Sequence, residues 1–402
     1  MKILFVSHSA DLAGAERSMY ELIEGLQDVP GITCCVVVPR DGPLRARLDG
    51  LGVAVRTLPL PPWTSQSPSR RGIARDAARV LRATSRLLRL IARIHPSVVV
   101  TNTITIPAGA FAARLAGTPH VWYVHEYAVP EHGLHCLIGR RRTMRWAGRL
   151  SRRVVVPSSA LKEELAELIP SEKLRVVRPA AEIRRGARPL ARGASGELRL
   201  LMLGHVTPGK RQDEAIRAVS LLRRRGTEAH LTLVGWQDPR FADWLRKLAT
   251  ELGVADAVDF VQATDDPASF FASSHLAVTC TRHEPAPRVV IEAMKSGCPV
   301  VAARSGGTPE LILDGRNGFL YEPGDVADLA SKLEALAWDE DLRVRVRDYG
   351  EAWATERLSL VASTRDFMAA VHEALARPSP GSEPERHVPS IATHLPDPER
   401  MP

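Results

Sequence analysis

Two glutamates, Glu284 and Glu292, lie on either side of a predicted turn between a buried strand and a helix. The strand candidate 276–280 ends just before Glu284, and the helix predicted from Arg288 to Lys295 carries Glu292 in its early turns. A helix N-terminus offers unpaired N–H groups and the positive end of its dipole to a phosphate, and a carboxylate accepts hydrogen bonds from ribose hydroxyls. The pair therefore fits a phosphorylated sugar ligand, although two glutamates alone are also common on an exposed surface.

A second group of polar residues follows the strand candidate 198–204. Gly204 ends that strand, and His205 comes next. Lys210 and Arg211 then precede a predicted helix. A lysine beside a strand–loop–helix turn can neutralise the charge that develops on a departing diphosphate. The other interpretation is a solvated loop lysine, and only the motif context distinguishes the two.

The first half of the chain contributes two further candidates. Gly14 lies in the loop between the first strand, 3–7, and the first helix. His125 follows the strand candidate 120–124. A histidine at the carboxyl end of a strand is placed to face a cleft, so we favour a functional role for His125 over a structural one.

Two clusters raise the question of a metal site. Glu131, His132 and His135 lie close together in a loop, but no fourth ligand is spaced to complete a zinc site. The run Asp339-Glu340-Asp341 has the letters of a metal-binding Asp-x-Asp motif, but its place between helical segments predicts an acidic helix start. The sequence therefore predicts no bound metal.

Strands alternate with helices along most of the chain, which predicts two doubly wound α/β domains in tandem. Besides the strands named above, the strand candidates are 33–38, 53–57, 97–102, 153–157, 231–235, 258–261 and 299–303. The Pro- and Ser-rich stretch 59–71 predicts an irregular loop. The expected organisation is a first domain over 1–183, a linker over 184–197, a second domain over 198–350, a helix over 351–376 returning to the first domain, and a disordered tail over 377–402. Ligands of such sheets bind beyond the carboxyl ends of the strands, so the candidate residues would meet in a cleft between the domains.

Glu284 also begins an ordered series of short motifs: Glu-x7-Glu, then EAM, GCPVV, SGG, PE and NG. In this order and spacing the series resembles the retaining glycosyltransferases of family 4, which have the GT-B fold of two Rossmann-like domains facing a cleft. The resemblance extends over residues 2–350 and is densest in the second domain. It implies transfer of a sugar from a UDP- or GDP-sugar donor to a glycan or lipid-linked acceptor in polysaccharide biosynthesis, without a metal or a cofactor.

The resemblance further implies roles for individual residues. Glu284, His125 and Lys210 would form the catalytic group. The donor would be bound by Gly14, Gly204, His205, Lys210, Arg211, Arg288, Val289, Glu292, Gly306 and Gly307. Two positions depart from the family pattern, since Ala286-Pro287 replaces a Phe-Gly pair and His205 stands where an arginine is usual. Pro287 has no N–H to donate to a phosphate, but it suits the first turn of a helix.

The chain of 402 residues has a formal net charge of +8, which suits anionic partners. Part of this charge forms one stripe at helical spacing, made of Arg75, Arg79, Arg82, Arg86, Arg89 and Arg93. The Arg75–Arg93 helix is expected either to dock on an anionic membrane or simply to face water on an ordinary helix of the domain. Few aromatic residues interleave with the arginines, so no nucleic acid partner is expected.

The five cysteines show no paired spacing, which indicates a reduced, cytoplasmic compartment. The apolar run ILFVS near the start is too short for a signal peptide or a membrane span, so any membrane contact would be peripheral, on the inner face of the plasma membrane. Two alternatives remain, a sugar-nucleotide epimerase of the same fold and a non-catalytic scaffold protein. An NAD-dependent enzyme is disfavoured because no Gly-x-Gly-x-x-Gly follows the first strand.

Overall fold

Two parallel sheets, each covered by helices on both faces, organise the chain. The computed structural model describes residues 1–65, 70–128, 135–183 and 196–376, with the backbone alone at 65 and 70–75. The elements of the first half are β1 (Lys2–Ser7), α1 (Gly14–Gln27), β2 (Thr33–Val38), α2 (Pro43–Gly50), β3 (Ala54–Thr57), β4 (Thr64–Ser65), α3 (Arg70–Ile94), β5 (Val98–Asn102), α4 (Ala108–Ala116), β6 (His120–Tyr123), β7 (His135–Cys136), α5 (Arg140–Leu150), β8 (Arg153–Val156), α6 (Ser159–Ala166) and β9 (Leu174–Val176). Those of the second half are β10 (Leu198–Leu203), α7 (Gln212–Arg224), β11 (Ala229–Val234), α8 (Pro239–Glu251), β12 (Val258–Val261), α9 (Pro267–Ala272), β13 (Leu276–Thr279), α10 (Arg288–Lys295), β14 (Val300–Ala303), α11 (Thr308–Leu311), β15 (Phe319–Tyr321), α12 (Val326–Trp338), α13 (Glu340–Arg357) and α14 (Leu360–Leu375).

The first sheet has the strand order β3-β2-β1-β5-β6-β8-β9 and is parallel throughout, while β4 and β7 form a separate antiparallel pair. Its central strand β1 is buried on both faces. Ile3 and Phe5 point into a core shared with α1 and α14, whereas Leu4 and Val6 point into a core shared with α3 and α4. Burial on both sides explains why β1 is an unbroken apolar run without alternation.

The second sheet repeats this plan with the order β12-β11-β10-β13-β14-β15. In both sheets the chain starts in the middle, moves to one edge, and then crosses back to fill the other side. The order therefore reverses between β1 and β5 and again between β10 and β13. Such a reversal leaves a crevice beyond the carboxyl ends of the two strands, which is where ligands of open α/β sheets bind.

Helix α14 crosses back to pack on the first sheet. The ring of Phe367 lies 6.0 Å from that of Phe5. Glu373 accepts a hydrogen bond of 2.8 Å from Arg153 and forms an ion pair of 2.6 Å with Arg175. The segment 360–375 thus completes the core of the first sheet, although it follows the second sheet in the chain.

Helices α3, α4 and α5 cover the other face of the first sheet, and their outer surface is basic. The exposed arginines of this surface are Arg79, Arg82, Arg86, Arg89, Arg93, Arg114, Arg141, Arg142, Arg145 and Arg149. The same surface exposes apolar side chains, with Leu81 67% and Leu115 69% exposed and Trp146 41% exposed. The side chain of Arg75 is outside the described residues. Within the described ranges, no helix has the length and apolar character needed to cross a membrane.

Several element bounds differ from the sequence expectation. Helix α3 begins at Arg70, so it enters the stretch 59–71 that is expected to be a loop, and β4 lies in the same stretch. Strands β9 and β15 are not among the strand candidates, because each has three residues and so carries little periodic signal. Most of the expected linker, 184–195, and the whole expected tail, 377–402, are outside the described residues.

Candidate active site

A cleft of about 420 Å³ opens between the two halves, at the carboxyl ends of their strands. Residues after β1 and β6 line it on one side, and residues after β10, β11 and β13 line it on the other. Both sheets therefore contribute at the reversal of their strand order. The sequence-predicted site residues that line the cleft are Gly14, His125, Gly204, His205, Lys210, Glu284, Arg288, Val289 and Glu292.

Lys210 and Glu284 form an ion pair in the wall of the cleft. Lys210 Nζ donates to Glu284 Oε2 at 2.7 Å, and the two side chains are 29% and 24% exposed. They are 74 positions apart, but β10 and β13, which precede them, are neighbours in the sheet. A cation paired to a carboxylate and still open to a cleft can exchange part of this pairing for an anionic ligand.

The glycine pair Gly306 and Gly307 does not line the cleft but supports Glu284 from behind. Gly307 N–H donates to the Glu284 carbonyl at 2.9 Å. A Cβ on Gly306 would lie 2.3 Å from the Glu284 carbonyl oxygen, and a Cβ on Gly307 would lie 1.8 Å from the Pro285 carbonyl oxygen. Only glycines permit this approach of two backbones, which fixes the loop that carries Glu284.

Helix α10 directs its N-terminus at the cleft. Pro287 is its N-cap and no side chain caps it, so Arg288 and Val289 provide the first helical N–H groups. The first-turn N–H groups of a helix have no acceptor within the helix and are available to an anion. One turn further on, Glu292 lines the cleft although only 4% of the residue is exposed.

The guanidinium of Arg288 reaches across to α1 of the first half. It donates to both carboxylate oxygens of Glu21, at 2.7 and 2.6 Å, and to Ser18 Oγ at 3.1 Å. Burial alone would lower the pKa of Arg288, but the carboxylates of Glu21 and Glu292 outweigh burial and raise that pKa above its ordinary value. Arg288 therefore contributes an N–H group at the start of α10, while its guanidinium pairs with carboxylates of both halves.

His125 is half-buried and uncharged. Its Nε2 lies 2.7 Å from Asn102 Oδ1, and its ring packs on Tyr123 with ring centres 4.0 Å apart. Burial lowers the pKa of His125 to about 3, so the neutral ring donates to Asn102 through Nε2. The remaining ring nitrogen, Nδ1, is then an acceptor, which fits contact with a sugar hydroxyl better than acid catalysis.

Beneath His125 lies a pair of carboxyl groups with high pKa values. Burial raises the pKa of Glu126 and of Glu16 to about 7 each. Glu126 Oε2 accepts hydrogen bonds of 3.2 Å from the N–H groups of Ile104 and His125. Glu16 Oε1 lies 3.2 Å from His8 Nε2, and burial lowers the pKa of His8 to about 4. This part of the first half can therefore hold or release protons near neutral pH.

His205 replaces the usual arginine, and burial together with nearby Lys210 lowers its pKa, which favours its uncharged form. Arg211, a predicted donor ligand, does not line the cleft. Its backbone is in the left-handed region, with φ +57°, and its guanidinium donates to Asp213 and Glu214, each at 3.2 Å. With this backbone conformation the side chain of Arg211 points to Asp213 and Glu214 and not into the cleft.

Trp236 and Arg17 are among the cleft residues that sequence reasoning missed. Trp236 is 51% exposed at the cleft rim, with its ring centre 5.8 Å from that of His205. Arg17, in the first turn of α1, also lines the cleft and donates from Nε to the Leu12 carbonyl at 3.0 Å. Trp236 follows Gly235 directly after β11, so its place at the carboxyl end of a strand was a usable signal.

The described residues contain no group of three or more histidine, cysteine or acidic side chains placed to hold a metal ion. Glu131 and His132 of the loop cluster lie outside those residues. The acidic run 339–341 begins α13, where Asp339 caps the helix by accepting from Leu342 N–H at 2.8 Å.

Comparisons with known proteins agree with this architecture. The family model described as "Glycosyl transferases group 1" matches residues 191–353, and the model described as "Glycosyl transferase 4-like domain" matches residues 13–180. A lipopolysaccharide core biosynthesis glycosyltransferase of Rhizobium meliloti is 34% identical over 139 residues, which is 35% of this chain and 40% of that protein. A GDP-mannose-dependent phosphatidylinositol monomannoside mannosyltransferase of Mycolicibacterium smegmatis is 29% identical over 79% of this chain and 91% of that protein.

Among solved structures, Anabaena HepE in complex with UDP-glucose superposes with a TM-score of 0.75 at 22% identity, covering 92% of this chain and 99% of that one. The apo form of the galactosyltransferase WaaB, which acts on the lipopolysaccharide outer core, superposes with a TM-score of 0.70 at 18% identity, over 92% of this chain and 99% of that one. At these identities the likeness concerns the fold. The fold of two parallel sheets with flanking helices is thus shared with glycosyltransferases.

Proposed function

The chain belongs to the glycosyl transferases of group 1 and has the GT-B fold, and on this premise we propose that it transfers a sugar from a nucleotide-diphosphate sugar to a glycan or lipid-linked acceptor. We further propose that the transfer retains the anomeric configuration and needs neither a metal nor a cofactor.

One observation carries the proposal, the Lys210–Glu284 ion pair beside the N-terminus of α10. In the proposed complex the donor diphosphate lies between Lys210 Nζ and the first N–H groups of α10. Both groups stabilise the negative charge that grows on the diphosphate as the bond to the sugar breaks. Glu284, released in part from Lys210, accepts hydrogen bonds from the hydroxyls of the donor sugar, and Glu292 accepts from the ribose.

Retention follows when the acceptor hydroxyl attacks from the face that the diphosphate leaves. The departing phosphate oxygen then takes the proton of the acceptor, so no protein nucleophile is needed. His125, held neutral by burial, accepts a hydrogen bond from the donor sugar through Nδ1. Because Lys210 and the α10 N-terminus supply the positive charge, the leaving group departs without a metal ion.

Two neighbours guide the choice of donor. The HepE structure contains UDP-glucose, and the Mycolicibacterium relative depends on GDP-mannose. We therefore propose a UDP- or GDP-linked hexose as the donor. The same relative acts on a phosphatidylinositol monomannoside, and the Rhizobium relative acts in lipopolysaccharide core synthesis, which favours a lipid-linked acceptor.

The outer surface of α3, α4 and α5 suits such an acceptor. Its exposed arginines would attract anionic lipid, while Leu81, Leu115 and Trp146 could enter the interface. We propose peripheral attachment of this surface to the inner face of the plasma membrane. Sedimentation with phosphatidylglycerol vesicles tests the idea, because binding should fall steeply with salt and with Arg86→Glu. Equal binding to neutral vesicles would contradict it.

A non-catalytic role is the main alternative, since neutral His205 and Pro287 remove one charge and one N–H donor from the phosphate region. The deciding experiment incubates the purified protein with UDP- and GDP-hexoses and a lipid-linked glycan, with and without EDTA. The proposal expects one donor to raise the melting temperature and to yield a glycoside with the anomeric configuration of that donor, unaffected by EDTA. An inverted product, loss of activity in EDTA, conversion of the nucleotide-sugar without an acceptor, or no turnover would each contradict it.

A further inference from the structure

The donor side of the cleft is connected to the first half through a buried, two-pronged ion pair. Arg288 Nη1 donates to Glu21 Oε2 at 2.7 Å, and Arg288 Nη2 donates to Glu21 Oε1 at 2.6 Å. The two side chains are 11% and 8% exposed. This is the parallel fork geometry in which arginine recognises a carboxylate most specifically. Glu21 belongs to α1 and Arg288 is the first residue of α10, so the contact joins the two domains.

The same guanidinium also reaches the carboxylate proposed to bind the donor ribose. Arg288 Nη2 donates to Glu292 Oε1 at 3.4 Å, a long contact beside the shorter one to Glu21. Arg288 thus lies between two carboxylates, and only the Glu21 pair has two-pronged geometry. Since the residues at i and i+4 on a helix face each other, Arg288 and Glu292 would approach more closely if Glu21 did not hold Arg288.

Stabilisation of the fold does not by itself explain the buried ion pair between Arg288 and Glu21. Burying an ion pair costs desolvation of both charges, and well-packed apolar side chains at such places are often at least as stabilising. Here the pair lies where α10 begins, next to the N–H groups and the carboxylate that face the cleft. Glu21 Oε1 also accepts from the backbone N–H of Glu182 at 3.0 Å, which fixes its own position.

We propose that Glu21 is a positioning residue for donor binding: it holds Arg288 away from Glu292 and so keeps the Glu292 carboxylate available to the ribose. The inference rests on the proposed function, because it assigns a partner to the same donor site. Glu21 touches no donor atom and acts only through Arg288. Without Glu21, Arg288 pairs fully with Glu292 and competes with the ribose hydroxyls for that carboxylate.

The test measures donor binding and turnover in Glu21→Gln. Glutamine keeps the size of the side chain but removes the charge that holds Arg288. The dissociation constant of the nucleoside diphosphate and the donor KM should rise about tenfold. The turnover number at saturating donor should stay within about twofold, because the groups around the leaving diphosphate are unchanged.

A second substitution separates positioning from stability. In Glu21→Gln with Arg288→Gln no cation remains to capture Glu292, so donor affinity should return to within about threefold of the original protein. A purely structural role predicts the opposite, since the double variant would bind more weakly than Glu21→Gln alone. Ser18→Ala is the milder variant if Glu21→Gln fails to fold. It removes the 3.1 Å hydrogen bond that Ser18 accepts from Arg288 and the 3.0 Å hydrogen bond that Ser18 donates to the Gly14 carbonyl, and it should raise the donor KM about threefold.

Arg178→Gln is the matched control. It breaks another ion pair between the domains, the 3.1 Å contact of Arg178 with Glu310, and neither residue lines the cleft. Its donor affinity should be unchanged. The inference would be overturned if Glu21→Gln kept the donor affinity of the original protein, or if the double variant bound the donor no more tightly than Glu21→Gln. If the original protein itself bound no nucleotide-sugar, the proposed function would be refuted instead.

Discussion

Replacing Lys210 by alanine should separate catalysis from stability. The lysine is 29% exposed and pairs with a partner that is 24% exposed. Partly solvent-exposed ion pairs contribute about 0–1 kcal/mol to the free energy of folding, so the melting temperature of Lys210→Ala should differ little from that of the original protein. The loss in transfer should be much larger. Removing one preformed donor to a developing charge costs about 2.7–4 kcal/mol of transition-state stabilisation, or roughly 10²- to 10³-fold in the turnover number.

The assay is the rate of transfer at saturating donor and acceptor, with donor affinity measured separately by calorimetry. Arg211→Ala is the matched control, since this cation lies in the same loop but binds Asp213 and Glu214 instead of facing the cleft. It should keep its turnover number and lose some stability. The reasoning would be refuted if Lys210→Ala kept more than about a tenth of the original turnover number, or if Arg211→Ala lost as much activity as Lys210→Ala.

Three further outcomes are expected. Gly307→Ala places a methyl 1.8 Å from the Pro285 carbonyl oxygen, so it should lower the free energy of unfolding by about 1–3 kcal/mol and displace Glu284. Gly50→Ala is the control, because nothing lies within 4 Å of the new methyl. Melting and transfer assays should show a loss of stability and of activity for Gly307→Ala and no change for Gly50→Ala. The exposed ring of Trp236 at the cleft rim is expected to stack on the donor base. Trp236→Ala should therefore weaken nucleoside diphosphate binding by about tenfold in calorimetry, and Trp236→Phe should retain most of the affinity. Equal affinities of all three proteins would show that the ring does not stack on the donor. The pKa of Glu126 is raised to about 7 from an ordinary 4.5, so its contribution to stability is fully present below pH 4.5 and is lost as the pH rises through 7. In denaturant unfolding, Glu126→Gln should therefore be more stable than the original protein at pH 8, by on the order of 3 kcal/mol, and equally stable at pH 4. A difference in the free energy of unfolding that did not change with pH would contradict the raised pKa.

The sequence was sufficient to predict the α/β fold of two doubly wound domains and the family resemblance, both now confirmed. Lys210 and Glu284 could be assigned to one site without coordinates because each follows a strand, and strands of one parallel sheet end at the same edge. The predicted roles of the site residues remain predictions, although nine of those residues line one cleft.

Other parts of the site had no local signal. Arg211 turns away because its backbone adopts a left-handed conformation that residues other than glycine rarely show. Glu21 falls on the buried side of α1, where periodicity indicates only a core position, and its partner Arg288 is 267 residues away. The glycines at 306 and 307 were associated with the donor, but their place behind Glu284 depends on two loops meeting in space.

The return of α14 to the first sheet has a consequence for how the chain is made. During synthesis the strands of the first sheet precede those of the second, but Phe367, Met368 and Val371, which help to cover Phe5 and its neighbours, are added only after the second sheet. Until then α1 and α2 cover only part of that apolar face of the sheet. The first sheet therefore completes its core only after the second sheet has been made, and a fragment that stops before residue 360 should aggregate or require a chaperone.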